Sequence, residues 1–209
     1  MAKEVETYTP KQVERMFEVA LETDMQFLPF LTLGFFCGIR PDGELPKLQW
    51  TDVRLDGEPP QIVVRPEVSK TKRRRFVDLS PNAVAWIEAY RQSGHPLTGE
   101  IVPFSQSTLR RKRDELCAKT RINWVQQGMR HTYCSNWLAL YGDINKLVLQ
   151  SGHDSVDTMW RHYHRGTTKA EAEKFWSIRP PTPATNIVPM ARIGRTRYLN
   201  FQNNHSFSK

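Results

Sequence analysis

Four short stretches of the chain concentrate side chains that can hold a charged group, pass a proton or act as a nucleophile. The first is Cys37-Gly38-Ile39-Arg40-Pro41-Asp42-Gly43-Glu44-Leu45, with Leu48-Gln49-Trp50-Thr51-Asp52-Val53 after it. The second is Ser69-Lys70-Thr71-Lys72, followed by Arg75-Phe76-Val77-Asp78-Leu79. The third is Gln127-Gly128-Met129-Arg130-His131-Thr132-Tyr133-Cys134-Ser135. The fourth is Ser151-Gly152-His153-Asp154-Ser155, with Arg161-His162-Tyr163-His164 beyond it. Arginine bonds phosphate with a planar two-pronged fork and keeps its charge. Lysine and histidine can move protons, and a tyrosine hydroxyl can attack an electrophile. Singly, each residue also has an ordinary structural account. Arg40 could be a cation at a helix C-terminus, the Lys70 to Arg75 run a solvated turn, and Arg130 an ion-pair partner. His153 could cap a helix, and Tyr163, beside Trp160, could be a packing aromatic.

The charge balance narrows the partner. Thirty Lys and Arg against 22 Asp and Glu give a formal net charge of +8. The pI is near 9.6. Such an excess favours a polyanion, because each phosphate contact releases condensed counterions. The 209 residues suffice for one substantial domain, and 39% hydrophobic with 25% charged is ordinary for a globular protein. No stretch reaches the roughly 20 apolar residues of a membrane span, and the acidic start is not a signal peptide. A cytoplasmic protein is therefore expected. The three cysteines, Cys37, Cys117 and Cys134, form no CxxC pair and no zinc set, so buried thiols are expected. No carboxylate cluster suggests a Mg²⁺ site, and neither metal nor cofactor is expected.

The elements that must position these side chains can be read from caps and periodicity. Thr9-Pro10-Lys11-Gln12 opens a helix, with apolar Val13, Met16, Phe17 and Ala20 following at helical spacing. Phe27 to Ile39 reads as a buried helix ending near Gly38, and Leu45, Leu48 and Trp50 continue an amphipathic pattern. Gln61 to Arg65 and Arg75 to Leu79 read as antiparallel strands joined by a cationic turn. Further helices are predicted over 83–90, 108–120, 130–141, 143–150, 155–163 and 168–176. The sum is a mainly α domain with a small antiparallel β-sheet. After Ile178 the composition changes to Arg179-Pro180-Pro181-Thr182-Pro183 and an acid-free stretch, read as a basic, flexible tail over 180–209.

In this order and at these gaps, the four stretches resemble the catalytic boxes of the tyrosine recombinase, or phage integrase, family. The resemblance covers roughly Thr9 to Trp176. It implies a catalytic-domain fold over 1–179. It also implies site-specific DNA strand cleavage and rejoining, without a metal, through a 3′-phosphotyrosyl intermediate on double-stranded DNA. Arg40 matches the family's first catalytic Arg, Lys70 its hairpin Lys with Lys72 as the rival, Arg130 its second Arg, His153 its G-H histidine and Tyr163 its nucleophile. Arginines would neutralise charge on the non-bridging oxygens, and Lys70 would protonate the departing 5′ oxygen. His153 would bond the phosphate or assist proton transfer.

Two positions depart from the family pattern. Glu44 stands one place later than the usual acid, as a supporting partner of Arg40. Gln127 stands where the family commonly has His; it can donate a hydrogen bond but cannot transfer a proton. Lys72, Arg73, Arg74, Arg110, Arg111, Arg113 and His131 are expected to contact DNA. His162 and His164 are assigned to packing or phosphate contact. The match begins close to the first residue, so the N-terminal core-binding domain of the family is expected to be absent, with weak, salt-sensitive DNA binding. The segment 168–176 resembles the family's protomer-docking segment, implying self-association on DNA, with packing inside one protomer as the alternative. A catalytically impaired DNA-binding module and a type IB topoisomerase are the competing functional readings.

Overall fold

A computed structural model describes residues 5–163 and 166–181, the side chains of 158, 161 and 162 excepted. The expectations for the side chain of His162, for His164 and for the tail from 182 onward lie outside the described residues. Helix α1, Pro10–Thr23, begins where the capping pattern predicts. The Thr9 hydroxyl accepts from the Gln12 amide, and the Gln12 side chain accepts from the Thr9 amide. Its Val13, Met16, Phe17 and Ala20 face the core. Helix α2, Leu28–Cys37, is buried at all ten residues, as an all-apolar helix must be, and packs between α1, α3 and α5. It stops at Gly38, whose φ of 62° is left-handed. A Cβ there would lie 2.3 Å from a Tyr133 ring carbon, so both the turn and the close approach require glycine.

The continuation expected through Leu45, Leu48 and Trp50 is instead two short 3₁₀ turns, Leu45–Lys47 and Trp50–Asp52. Pro46 cannot propagate an α-helix, and Leu48 is extended, yet all three apolar residues still reach the core. Strands β1 (Val53–Arg54), β2 (Gln61–Val64) and β3 (Arg75–Asp78) form one antiparallel sheet in that order. The β2–β3 register sets Ile62 against Val77 and Val64 against Arg75. Along β3 the alternation is strict: Arg75 and Val77 are buried while Phe76 is 44% exposed.

Helix α3 (Pro81–Gln92) packs on α2, and α4 (Gln106–Thr120) packs on α1. Helix α5 (Gly128–Tyr141) lies against α2 on one side and α8 (Lys169–Trp176) on another. Helix α6 (Ile144–Ser151) rests on β3, and α7 (Val156–Tyr163) rests on α5 and α6. Most of the apolar interior is one cluster around α2; Tyr133, Cys134, Trp137, Leu138, Leu147, Met159 and Tyr163 form a second beneath α6 and α7. Helix α8 buries Ala172 and Phe175, with Phe36 and Phe175 ring centres 5.2 Å apart. Burial of a large apolar side chain contributes about 1.5–3 kcal/mol, which anchors α8 against α5 and α1. No helix among the described residues is long and apolar enough to cross a membrane.

Candidate active site

Three elements end at one place. Helix α2 delivers Arg40 just past its glycine stop, β3 begins with Arg75, and the first turn of α5 carries Arg130. All three guanidinium groups point at the C-terminus of α6. There the last carbonyls take one arginine each. Arg75 Nε donates to Gln150 O at 2.9 Å, Arg130 Nη2 to Ser151 O at 2.6 Å and Arg40 Nη2 to Gly152 O at 3.3 Å. A helix C-terminus carries roughly half a negative charge on such orphan carbonyls, which suits cations. Gly152 is left-handed at φ 66°, and a Cβ there would stand 3.1 Å from Arg75 Cδ.

One buried acid ties the same arginines from the other side. Glu44, fully buried, accepts from Arg75 Nη2 at 2.6 Å and Nη1 at 3.0 Å, and from Arg40 Nη1 at 2.9 Å. It also accepts from the backbone amides of Arg40 and Lys70, which fixes the start of the cationic turn. Burial by itself would raise the Glu44 carboxyl. The hydrogen bonds from Arg75, with the charges of Arg75 and Arg40, outweigh it and hold the group at about 2. Arg130 is 3% exposed and also donates from Nη1 to Gly38 O at 2.7 Å. Burial, reinforced by the Arg40 and Arg75 charges, lowers it to about 10, so it remains cationic at neutral pH.

These side chains border an open cleft of about 620 Å³. Arg40, Arg130, His153, His131 and Gln127 line it on the helical side, and Lys70 and Lys72 on the turn side. Lys70, Lys72, Arg73 and Arg74 are exposed, with Lys72 at a left-handed φ of 57°. His153 Nδ1 lies 2.7 Å from Ser151 Oγ and 3.2 Å from Arg130 Nη2. Ser151 Oγ donates to Leu147 O at 2.6 Å, which holds the serine beside the ring. Gln127 sits at a left-handed φ of 57° before α5, and its Nε2 donates to Asp42 Oδ2 at 3.3 Å.

Tyr163, 4% exposed, does not line the cleft. Its hydroxyl lies 2.7 Å from His131 Nδ1. Burial pushes the phenol up from its ordinary value, with the Arg130 and Arg40 charges opposing. Of the basic residues on α4, Arg110 is exposed and Arg111 pairs with Glu115. Arg113 pairs with Asp42 at 2.9 Å and covers the Trp124 ring.

The sequence reading placed Arg75 at the start of a strand and gave it no role of its own in the site; the structure buries it at the centre of the arginine cluster. The signal was available in the alternation of Arg75, Val77 and Leu79, which places Arg75 on the inward face. Asp42, which joins Arg113 to Gln127, left no comparable signal. A separate hollow of about 360 Å³, lined by Tyr133, Trp137, Tyr141 and Trp176 among others, shares no residue with the cleft.

Residues 6–169 match the model of the phage integrase family. Among solved structures, the XerA recombinase is 25% identical with a TM-score of 0.63, over 87% of this chain and 68% of that one. The catalytic domain of bacteriophage HP1 integrase is 17% identical with a TM-score of 0.59, over 81% of this chain and 93% of that one. The Tn1549 transposon integrase, solved with a circular intermediate DNA, is 16% identical with a TM-score of 0.60, over 82% of this chain and 65% of that one. The latter two likenesses speak for the fold alone. No curated protein sequence matches the chain.

Proposed function

Since the chain belongs to the phage integrase family, as the catalytic domain of a tyrosine recombinase, we propose that it cuts and rejoins double-stranded DNA with Tyr163 as the attacking group. The observation that carries this reading is the convergence of Arg40 and Arg130, 90 positions apart in sequence, on adjacent carbonyls at the wall of one basic cleft. In the proposed reaction these two guanidinium groups receive the non-bridging oxygens of the scissile phosphate. Tyr163 attacks phosphorus, and the 3′ phosphate stays on the protein, conserving bond energy for rejoining. Lys70 protonates the departing 5′ oxygen; Lys72 is its rival from the same turn. His153 bonds the phosphate or assists proton transfer. The guanidinium groups neutralise the charge that builds on phosphorus, so no step calls for a metal. The exposed Lys72, Arg73, Arg74 and Arg110 contact the DNA backbone and set its path.

The test is covalent capture. The chain is incubated in EDTA with a random-sequence pool of duplexes, each nicked so that the cleaved end diffuses away. A protein–DNA adduct that resists denaturation, and that Tyr163→Phe abolishes, is the expected result. DNA binding with no adduct from any duplex would refute strand cleavage and leave a binding module. Relaxation of supercoiled plasmid at random sites would indicate topoisomerase-like action instead.

A further inference from the structure

We infer that His131 is the proton acceptor for Tyr163, supplying the base that Gln127 cannot be. The inference rests on the proposed cleavage by Tyr163 and goes beyond it by naming where the phenolic proton goes.

Helix geometry brings His131 to this position. Gln127 and His131 are four residues apart, and the His131 amide donates to the Gln127 carbonyl at 2.9 Å. Both side chains border the cleft, Gln127 from the residue before α5 and His131 from its first turn. The amide of Gln127 is turned to Asp42 at the outer edge, and no amide accepts a proton at neutral pH. One turn deeper, the His131 ring is half-buried, with Nδ1 2.7 Å from the Tyr163 hydroxyl and the ring centres 5.8 Å apart. That is within the reach required of a general base. The phenol is buried and keeps its proton at neutral pH; in the His131 tautomer with its proton on Nε2, Nδ1 accepts from the hydroxyl. The imidazole lines the cleft while the phenol lies behind it, so a proton taken from the phenol has a path to the cleft. The ionisable groups around the pair are Arg130 and Cys134 on α5, Arg40 after α2 and His153 beyond α6. The arginines favour a phenolate, which leaves proton removal as the step that needs a partner.

The step balances without a further reagent. The Tyr163 O–H bond breaks as an N–H bond forms at His131 Nδ1. The phenolate oxygen bonds phosphorus, the P–O5′ bond breaks, and the 5′ oxygen takes a proton from Lys70. Rejoining reverses each change, and His131 returns the proton to the leaving tyrosine.

Single-turnover adduct formation decides the matter, on a nicked duplex recovered from the random pool through the wild-type adduct. His131→Ala is expected to slow the reaction by roughly 10²–10⁴-fold, well beyond any weakening of the Kd for the same duplex. Added imidazole restores part of the rate. A duplex with sulfur in place of the bridging 5′ oxygen removes the need for Lys70 but not for His131, so the His131→Ala defect persists on it. His131→Gln keeps the size and hydrogen-bonding capacity; it carries the same expectation if the alanine variant does not fold. A rate within about threefold of wild type, a defect relieved by the sulfur substrate, or a loss confined to DNA affinity would each overturn the assignment. Failure of the wild-type chain to form any adduct would instead refute the cleavage reading on which it rests.

Discussion

Replacing Glu44 by glutamine isolates the electrostatics of the site from its shape. The carboxylate takes two hydrogen bonds from Arg75, one from the Arg40 side chain and one from each of the Arg40 and Lys70 amides. Glutamine offers one oxygen and turns an N–H₂ group toward donors, so two arginines lose their shared counter-charge. Leaving a buried cation uncompensated costs about 3–5 kcal/mol. An independent route gives a similar size. Glu44 falls from an ordinary 4.5 to about 2 on folding, worth on the order of 3 kcal/mol at about 1.4 kcal/mol per pH unit. The sign follows from the depression: the stabilisation is complete above about pH 4.5 and disappears as pH falls towards 2. For a domain this long, a loss of about 3 kcal/mol lowers Tm by roughly 6–12 °C. Thermal or urea unfolding at pH 7 and at stepwise lower pH measures both effects. Glu44→Gln is expected to melt lower at pH 7 and to lack most of the wild-type fall in stability between pH 4.5 and 2. A variant with unchanged Tm and an unchanged acid limb would refute the view that this carboxylate holds the cluster together.

Three further outcomes follow from the same geometry. Gly38→Ala, forced to a left-handed φ and into the Tyr133 ring, should lose about 2–5 kcal/mol in urea titration, by adding backbone strain to overpacking. Arg130→Ala should slow adduct formation by roughly 10²–10³-fold, as loss of a charge-stabilising donor does elsewhere, whereas Arg110→Ala on the exposed face of α4 should alter DNA affinity without changing the single-turnover rate. The double change Arg73→Ala and Arg74→Ala should reduce the salt dependence of DNA binding by a log–log slope of about 2, measured by fluorescence anisotropy from low to physiological salt.

The division between what the sequence foretold and what it withheld follows the range of the interactions. Local chemistry was legible. The Thr9–Gln12 capping box, the glycine stop at Gly38 and the β-branched run in β2 each act within a few residues, and each produced the expected element. The helix bounds shift by at most two residues, in part because a cap such as Asp143 or Thr168 belongs to the turn before the helix. The 3₁₀ turns at Leu45 and Trp50 were hidden because their apolar spacing imitates an amphipathic helix while Pro46 interrupts it. Arg75 was read as a strand residue but given no role of its own in the site, because its partners Glu44 and Gln150 lie 31 and 75 positions away. The pairings Glu44–Arg75, Arg130–Ser151 and His131–Tyr163 span 31, 21 and 32 positions. No local period carries that information.

The charges of the cluster explain how the cleft can favour a reaction rather than a resting ligand. Arg40, Arg75 and Arg130 contribute three positive charges, Glu44 removes one, and the carbonyl end of α6 offsets roughly another half. About one and a half positive charges are left over, in a wall whose guanidinium groups are already held by carbonyls and by Glu44. On the proposed mechanism a phosphodiester brings one negative charge, and the five-coordinate phosphorus that follows brings nearly two. The excess exceeds the single charge of the ground state, so part of the charge that develops in the transition state is met as well, which is the condition for raising a rate rather than merely tightening binding. Because Glu44 and the α6 carbonyls hold the arginines before DNA arrives, little reorganisation accompanies the charge change. Arg75→Lys makes the consequence measurable. Lysine keeps the charge but cannot bond both Glu44 oxygens and Gln150 O together. Adduct formation should therefore slow by more than the Kd for DNA weakens. Equal losses in both would mean that the cluster binds DNA without distinguishing the transition state.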